Sequence, residues 1–386
     1  MGHVAPWFGF AALALQQGHQ VQMAAPNVGQ LEQLIGSRLP VTIWQAPFMR
    51  RAQSRESTSA TTPKSWPELL VSLGYGQATH LTGAVKAWVN LMRSAGADVV
   101  IADYAPAVQL AAKVLGIRVI EAGGGFCVPP LDPVQCFPGV MQHDTTLMVD
   151  AEITLTTAFN AALLASGSSL VISGLAEFCE WPVCRLVLSP SHLDHYGKRE
   201  GVIHIGLLGL GASQLVSEQS QSHRCGSYPS VVGYLKPGTP GLDSLITRLA
   251  DAGVEARLFV PGSDASLSRG RVEVCGEPID FKEGFKSADV YLSNGGLNGV
   301  GQALHDGCWP VVVPMQPEQA AMARTLVRQE LGSIWMTQAA FDDLAFKNLF
   351  LRKRSTNDIG NEVRVQVTAE SELLKIALEV ETSIPK

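Results

Sequence analysis

Short β-branched runs alternate with longer stretches of helical period along the whole chain. In the first half, apolar runs at 20–24, 41–45, 98–102 and 118–122 predict strands. Between them, apolar positions recur every three or four residues over 7–17, 28–36, 84–96 and 105–115, which predicts helices. The second half restarts the pattern, with strands at 230–235, 255–260, 271–274, 290–293 and 309–314. Helices are predicted at 242–252, 297–306 and 317–331, and a terminal helix from residue 365. This alternation is that of an α/β protein: two Rossmann-like, doubly wound parallel sheets covered by helices. No internal repeat or coiled-coil heptad is present.

A strand at 201–206 runs into a polar stretch without period, which places the domain boundary. The expected organisation is an N-terminal domain at 1–207, a linker at 208–227, a second domain at 228–360, and a C-terminal helix at 361–386 that packs back at the domain junction. Loops at 52–65 and 123–138 carry no apolar period and are predicted near the carboxyl ends of strands, where open α/β sheets bind ligands. Residues 46–66 and 123–142 are therefore candidate walls of an apolar pocket.

Composition narrows the class. A chain of 386 residues exceeds the roughly 250 to 300 at which one core stops growing, which again implies two domains. Hydrophobic residues make up 46% and charged residues 17%, a globular balance. A net charge of -6 gives no electrostatic reason to expect nucleic acid or an anionic membrane, so a small-molecule partner is expected. The seven cysteines are odd in number, scattered, and show no CxxC spacing, as in a cytoplasmic protein with reduced thiols. The apolar stretch from Val4 to Leu15 follows no Lys or Arg and is broken by Pro6 and Gly9, so it is expected to form a buried helix.

The most informative segment is 288–332. A predicted strand ends in Asn294-Gly295-Gly296 and a helix begins at once. Glycines there let backbone approach a phosphate, and the N–H groups and positive end of a helix favour an anion. The same segment continues with Asn298, Gly299, Gln302, Gly307-Cys308-Trp309-Pro310, Pro314 and Glu318-Gln319. In order and spacing it resembles the signature of the large glycosyltransferase family that includes plant natural-product, glucuronosyl and bacterial macrolide transferases. The opening of the chain is similar too, with Gly2-His3, Pro6 and Gly18-His19, as is the segment 97–120 around Asp103.

That resemblance implies a GT-B architecture, two domains facing a cleft, and a metal-independent, inverting hexosyltransferase with no cofactor. Its co-substrate would be a nucleotide sugar, by the family's habit UDP- or dTDP-linked, and its acceptor a small, largely apolar alcohol or phenol. A lipid acceptor would bring the protein to a membrane surface. By resemblance His3 is the general base and Asp103 its orienting carboxylate, chemistry that suits a group titrating near neutral pH. Asn294, Gly295, Gly296, Asn298, Gly299, Gln302, Glu318 and Gln319 hold the donor positions. Gly238 and Thr239, after the first strand of the second domain, stand where the family places a pair near the phosphates. Lys236 precedes them, as a positive charge restored near the phosphates or, the commoner case, as a solvated turn lysine.

The chain departs from the family in several places. Asn294 replaces a His on phosphate, Gly299 a Ser/Thr hydroxyl, and Gln302 a Glu on the ribose. Charge-assisted bonds are worth about 1.5–3 kcal/mol against about 1 for neutral ones, so the donor is expected to bind more weakly, by roughly 1–3 kcal/mol. An aromatic residue expected near Cys275-Gly276-Glu277-Pro278 to stack on the base is absent. The alternative is a non-catalytic homologue acting as a binding or auxiliary protein.

A strand precedes Gly-His in the family and is central in its sheet, which leads to the expectation of a start roughly ten residues upstream. Two His and one Asp within 192–195 invite a metal reading, but the segment matches an ordinary family loop and no metal is expected. Dinucleotide, Walker and nucleophile-elbow motifs are missing, against dehydrogenase, NTPase and hydrolase readings.

Overall fold

A computed structural model describes residues 7–35, 39–49, 62–140, 145–207, 230–335 and 373–378. The chain divides into two compact units, 1–211 with 368–386, and 212–367. The expected linker at 208–227 and the start of the terminal helix lie outside the described residues.

Before the terminal helix, the described residues of the first unit form α1 (Trp7–Gln16), α2 (Val28–Ile35), α3 (Trp66–Ser72), α4 (Ala78–Ala95), α5 (Pro106–Leu115), α6 (Thr146–Ala165) and α7 (Leu175–Cys179). Its strands are β1 (Gln22–Ala25), β2 (Thr42–Gln45), β3 (Val99–Ala102), β4 (Arg118–Gly123), β5 (Cys184–Val187) and β6 (Ile203–His204). All pair in parallel, in two pieces: β1 with β2, and the order β3-β4-β5-β6. Helix α1 serves both pieces, with Phe8 over the small core of β1 and β2 and Trp7 and Phe10 in the core of β3 to β6. The second core also takes Leu373 and Ala377, so the described part of the terminal helix belongs to the first unit.

Local sequence explains the ends of these helices. Ser65 accepts from the Glu68 N–H while Glu68 accepts from the Ser65 hydroxyl and the Lys64 N–H, which starts α3. Pro106 opens α5, and Gly96 and Gly116 close α4 and α5 in the left-handed conformation, where a side chain would be strained. Helix α4 begins at Ala78, six residues before the predicted 84. Helix α6 went unpredicted because it is apolar almost all round, which erases the helical period. It is long and apolar enough to cross a membrane by composition, but here it packs against α3, α4 and α5.

The second unit holds β7 (Ser230–Tyr234), α8 (Leu242–Asp251), β8 (Glu255–Phe259), β9 (Val272–Cys275), α9 (Phe281–Ser287), β10 (Val290–Ser293), α10 (Leu297–His305), β11 (Trp309–Val312), α11 (Pro317–Arg328) and β12 (Ser333–Ile334). The strands form one parallel sheet in the order β12-β11-β10-β7-β8-β9. Helix α11 stops three residues short of the predicted 331, and Glu330 just beyond it takes a left-handed φ of 56°. Gly233 is obligatory in the central strand β7, since a Cβ there would lie 2.8 Å from the Leu292 carbonyl and 2.7 Å from Leu258.

Candidate functional site

In the second unit the strand order reverses between β7 and β10. The chain winds outward from that pair in both directions, and open α/β sheets bind ligands at the carboxyl ends of such a pair. Three connections meet at this end of the sheet: 235–241 after β7, 294–296 after β10 and 313–316 after β11.

Gly295 has φ +89°, and a Cβ there would stand 2.7 Å from Val312, so both conformation and space require glycine. Its N–H donates to Ser293 Oγ at 3.1 Å, so it is not one of the free donors that the sequence suggested. The N–H groups of Gly296, Leu297, Asn298 and Gly299 have no acceptor among the described residues. They form the first turn of α10, and no atom would come within 4 Å of a Cβ at Gly296. Four donors at the positive end of a helix are suited to an anion.

Asn294 is 3% exposed, and its amide is engaged on both sides. Nδ2 donates to Thr239 Oγ1 at 3.1 Å and to the Val313 carbonyl at 2.9 Å, while Oδ1 accepts from the Lys236 N–H at 2.7 Å. Asn294 is therefore a tie joining the ends of β7, β10 and β11, with no N–H left over for a ligand. Thr239 is buried in the same tie, donating to the Lys236 carbonyl at 2.7 Å. Gly238, at φ +78°, turns the loop and has open space beside it.

Other predicted donor residues divide. Asn298 is half-buried on the first turn of α10. Glu318 stands in the first turn of α11, where the helix dipole favours its charge. Gln319 is buried and accepts from the Met315 N–H at 2.8 Å, shaping the loop after β11. Gln302 is turned along its helix, donating to Asp306 Oδ2 at 2.6 Å, and Asp306 also meets His305 Nδ1 at 2.9 Å. Gly299 has a steric cause: a Cβ there would lie 2.5 Å from the Tyr291 hydroxyl. The buried phenol fills the space a side chain would need, and burial holds its pKa above the ordinary range. Tyr291 and Ser293 were missed in the sequence because two alternate positions of an apolar strand carry no motif signal.

In the first unit Asp103 follows β3. Its Oδ2 accepts from Trp7 Nε1 at 3.1 Å, and Oδ1 lies 3.1 Å from the Cβ position of Gly123 at the end of β4. Asp103 does not cap α5, whose cap position is Ala105 without a side-chain bond. The next residue, Tyr104, has φ 49°, an uncommon left-handed conformation for a residue with a side chain. His3 lies outside the described residues, so its pairing with Asp103 has no geometry here.

The loop after β4 is less of a pocket wall than its sequence suggests, because residues 125–129 are buried. Arg199 donates to Asp194 Oδ2 at 2.9 Å and to the Val128 and Gly125 carbonyls. Arg185 donates to Glu121 Oε2 at 2.8 Å and to the Pro129 carbonyl. Asp194 also meets His204 Nε2 at 2.9 Å and accepts from the Tyr196 N–H at 3.0 Å. His195 Nδ1 accepts from the Phe126 N–H at 3.1 Å, and burial pulls its pKa down from 6.5 to about 4. Asp194 and His195 are thus structural, and no cluster of three metal-ligating side chains occurs among the described residues.

No protein-family profile matches the chain, and no curated protein matches it. Solved structures do. The calicheamicin glycosyltransferase CalG4 superposes with a TM-score of 0.70 at 16% identity, covering 100% of this chain and 96% of that one. The glycotransferase of kitacinnamycin gives 0.66 at 17% identity, covering 100% and 96%. The spinosyn rhamnosyltransferase SpnG, solved with thymidine diphosphate, gives 0.62 at 15% identity, covering 97% of each chain.

Proposed function

The chain has the fold of the GT-B glycosyltransferases, and from that premise we propose that it moves a sugar from a nucleotide-diphosphate donor to a hydroxyl of a small apolar acceptor. The observation that carries this reading is the open first turn of α10 at the switch point. Gly296, Leu297, Asn298 and Gly299 present four N–H donors where a diphosphate leaving group would gather charge. Backbone donors and the helix dipole would supply the positive end of the site. SpnG was solved with thymidine diphosphate, which supports a thymine-linked donor.

On the acceptor side the reaction needs a base. His3 would take the proton from the acceptor hydroxyl and Asp103 would orient it, and direct displacement at the anomeric carbon would invert its configuration. Asp103 is held for such a task by the Trp7 indole. The setting is the cytoplasm, with contact at a membrane surface if the acceptor is a lipid.

A second reading, a binding or auxiliary protein, has its own support. The amide of Asn294 is engaged by protein groups, and Gln302 is bonded to Asp306. Thermal unfolding with a panel of nucleotides and nucleotide sugars separates the two. A working donor site raises stability by about 2.7 kcal/mol at 100 times the dissociation constant. Donor turnover that falls roughly 10²- to 10⁴-fold in His3→Ala supports the enzyme. No shift with any nucleotide favours the auxiliary reading.

A further inference from the structure

The sequence lacks an aromatic residue in the loop after β9, but two aromatic rings stand elsewhere on the same edge of the sheet. Tyr234 ends β7 and Phe259 ends β8, paired in register. Their ring centroids are 5.5 Å apart with 34° between the planes. Both residues are half-buried, neither being enclosed in the core. The aromatic ring just beyond β12, at the other end of the edge, is Trp335, which is 4% exposed and lies in the core of the opposite face.

Side chains alternate along a strand, so Tyr234 shares a face with Val232. Val232 packs with Phe285, Tyr291 and Ala303, the face that α9 and α10 cover. Tyr234 pairs with Ser293, the last residue of β10, so it stands one strand from the open turn of α10. Phe259 stands two strands away, roughly 10 Å at the usual strand spacing. The far side is closed by the loops after β8 and β9. Gly262 N–H donates to the Gly276 carbonyl at 3.2 Å, and a Cβ at Gly276 would lie 2.1 Å from the Ser263 carbonyl. A ligand whose phosphates sit on the first turn of α10 meets these rings if it runs toward β8.

We propose that Tyr234 and Phe259 form the platform on which the base of a nucleoside diphosphate stacks. The inference rests on the donor reading above and specifies where its base lies. Stacking on aromatic rings serves any base, because every base has a π-face. The pair therefore supplies affinity for the nucleoside, and the turn of α10 supplies affinity for the diphosphate.

The test is calorimetric titration of the full chain with thymidine diphosphate, uridine diphosphate and inorganic pyrophosphate. Tyr234→Leu and Phe259→Leu keep apolar bulk and remove the π-face, and Tyr234→Phe keeps the ring. The expected result is a nucleoside diphosphate affinity lowered roughly 5- to 100-fold in each leucine variant, with pyrophosphate binding unchanged and Tyr234→Phe close to wild type. Melting temperature without ligand checks that the variants fold. Leucine variants that melt normally and bind nucleoside diphosphates as tightly as wild type would overturn the platform and leave the donor site standing. Wild-type protein that binds none of the three ligands would overturn the donor reading, and the platform with it.

Discussion

In the first unit the loop after β4 is held by charge: Arg185 with Glu121 and Arg199 with Asp194, both arginines donating onward to loop carbonyls. In the second unit the loop after β7 is held by one neutral amide, Asn294, bonded to Thr239, Lys236 and the Val313 carbonyl. Both solutions fix a connection at the carboxyl end of a parallel sheet. They differ in what they cost and in what disturbs them. A buried ion pair must overcome desolvation, and it fails badly when one partner is lost. A buried amide that makes three bonds carries no charge and is indifferent to pH.

The largest expected effect follows from that contrast. Arg185→Met leaves the Glu121 carboxylate buried beside Gln109 alone and is expected to lower stability by about 3–5 kcal/mol, read from denaturant unfolding. Adding Glu121→Gln should recover most of the loss. If the double variant stays as unstable as the single one, the pair is not the source of the effect.

Protonation should also separate the two units. His195 is neutral in the fold, with a pKa near 4 against 6.5 when unfolded, because burial penalises its charged form. Between those values the unfolded chain binds more protons, so stability is complete above pH 6.5 and is lost as pH falls toward 4, on the order of 3 kcal/mol. The Glu121 carboxyl, raised by burial against the pull of Arg185, works in the opposite sense above its ordinary range. Asp194, lowered despite its burial by His204 and Arg199, adds stability that is lost only below about pH 4. Hydrogen exchange of 125–128 should therefore quicken from pH 7 to pH 5 after correction for intrinsic rates, and His195→Gln should flatten that response. Exchange of 236–239 should stay flat.

Asn294→Ala should cost less than the arginine, about 1–3 kcal/mol, because it leaves the Val313 carbonyl and the Lys236 N–H without their partner but strands no charge. Faster exchange at Lys236 and Thr239 is the specific readout. Gly299→Ser should cost least, about 1 kcal/mol, since the clash with the Tyr291 hydroxyl is offset in part by better helix propensity. Tyr291→Phe in the same chain should remove that cost, measured as recovery of the melting temperature.

Much of the second unit was legible in residue order. Strand 290–293 was read to the residue, and the turn at Asn294-Gly295-Gly296 stands where its glycines placed it. A strand-to-helix turn announces itself because glycine conformation and helix period are local properties. What each side chain faces is not local. Asn294 was read as facing a ligand, and it faces Thr239 and Val313, 55 and 19 residues away. Gly299 was read as a lost hydroxyl, and the phenol of Tyr291 occupies that space.

The first unit divides the same way. Its strands at 98–102 and 118–122 were visible as apolar runs, and Asp103 as the residue ending one of them. The arginines that clamp the loop after β4 lie 56 to 74 residues from the carbonyls they hold, and no spacing rule connects them. Sequence by itself determined the alternation of strands and helices, the two-unit plan and the place of the glycine turn, because these follow from periodicity and backbone conformation. Tertiary structure alone decided which polar groups are engaged and which N–H donors stay open, because hydrogen-bond partners are chosen by proximity in space.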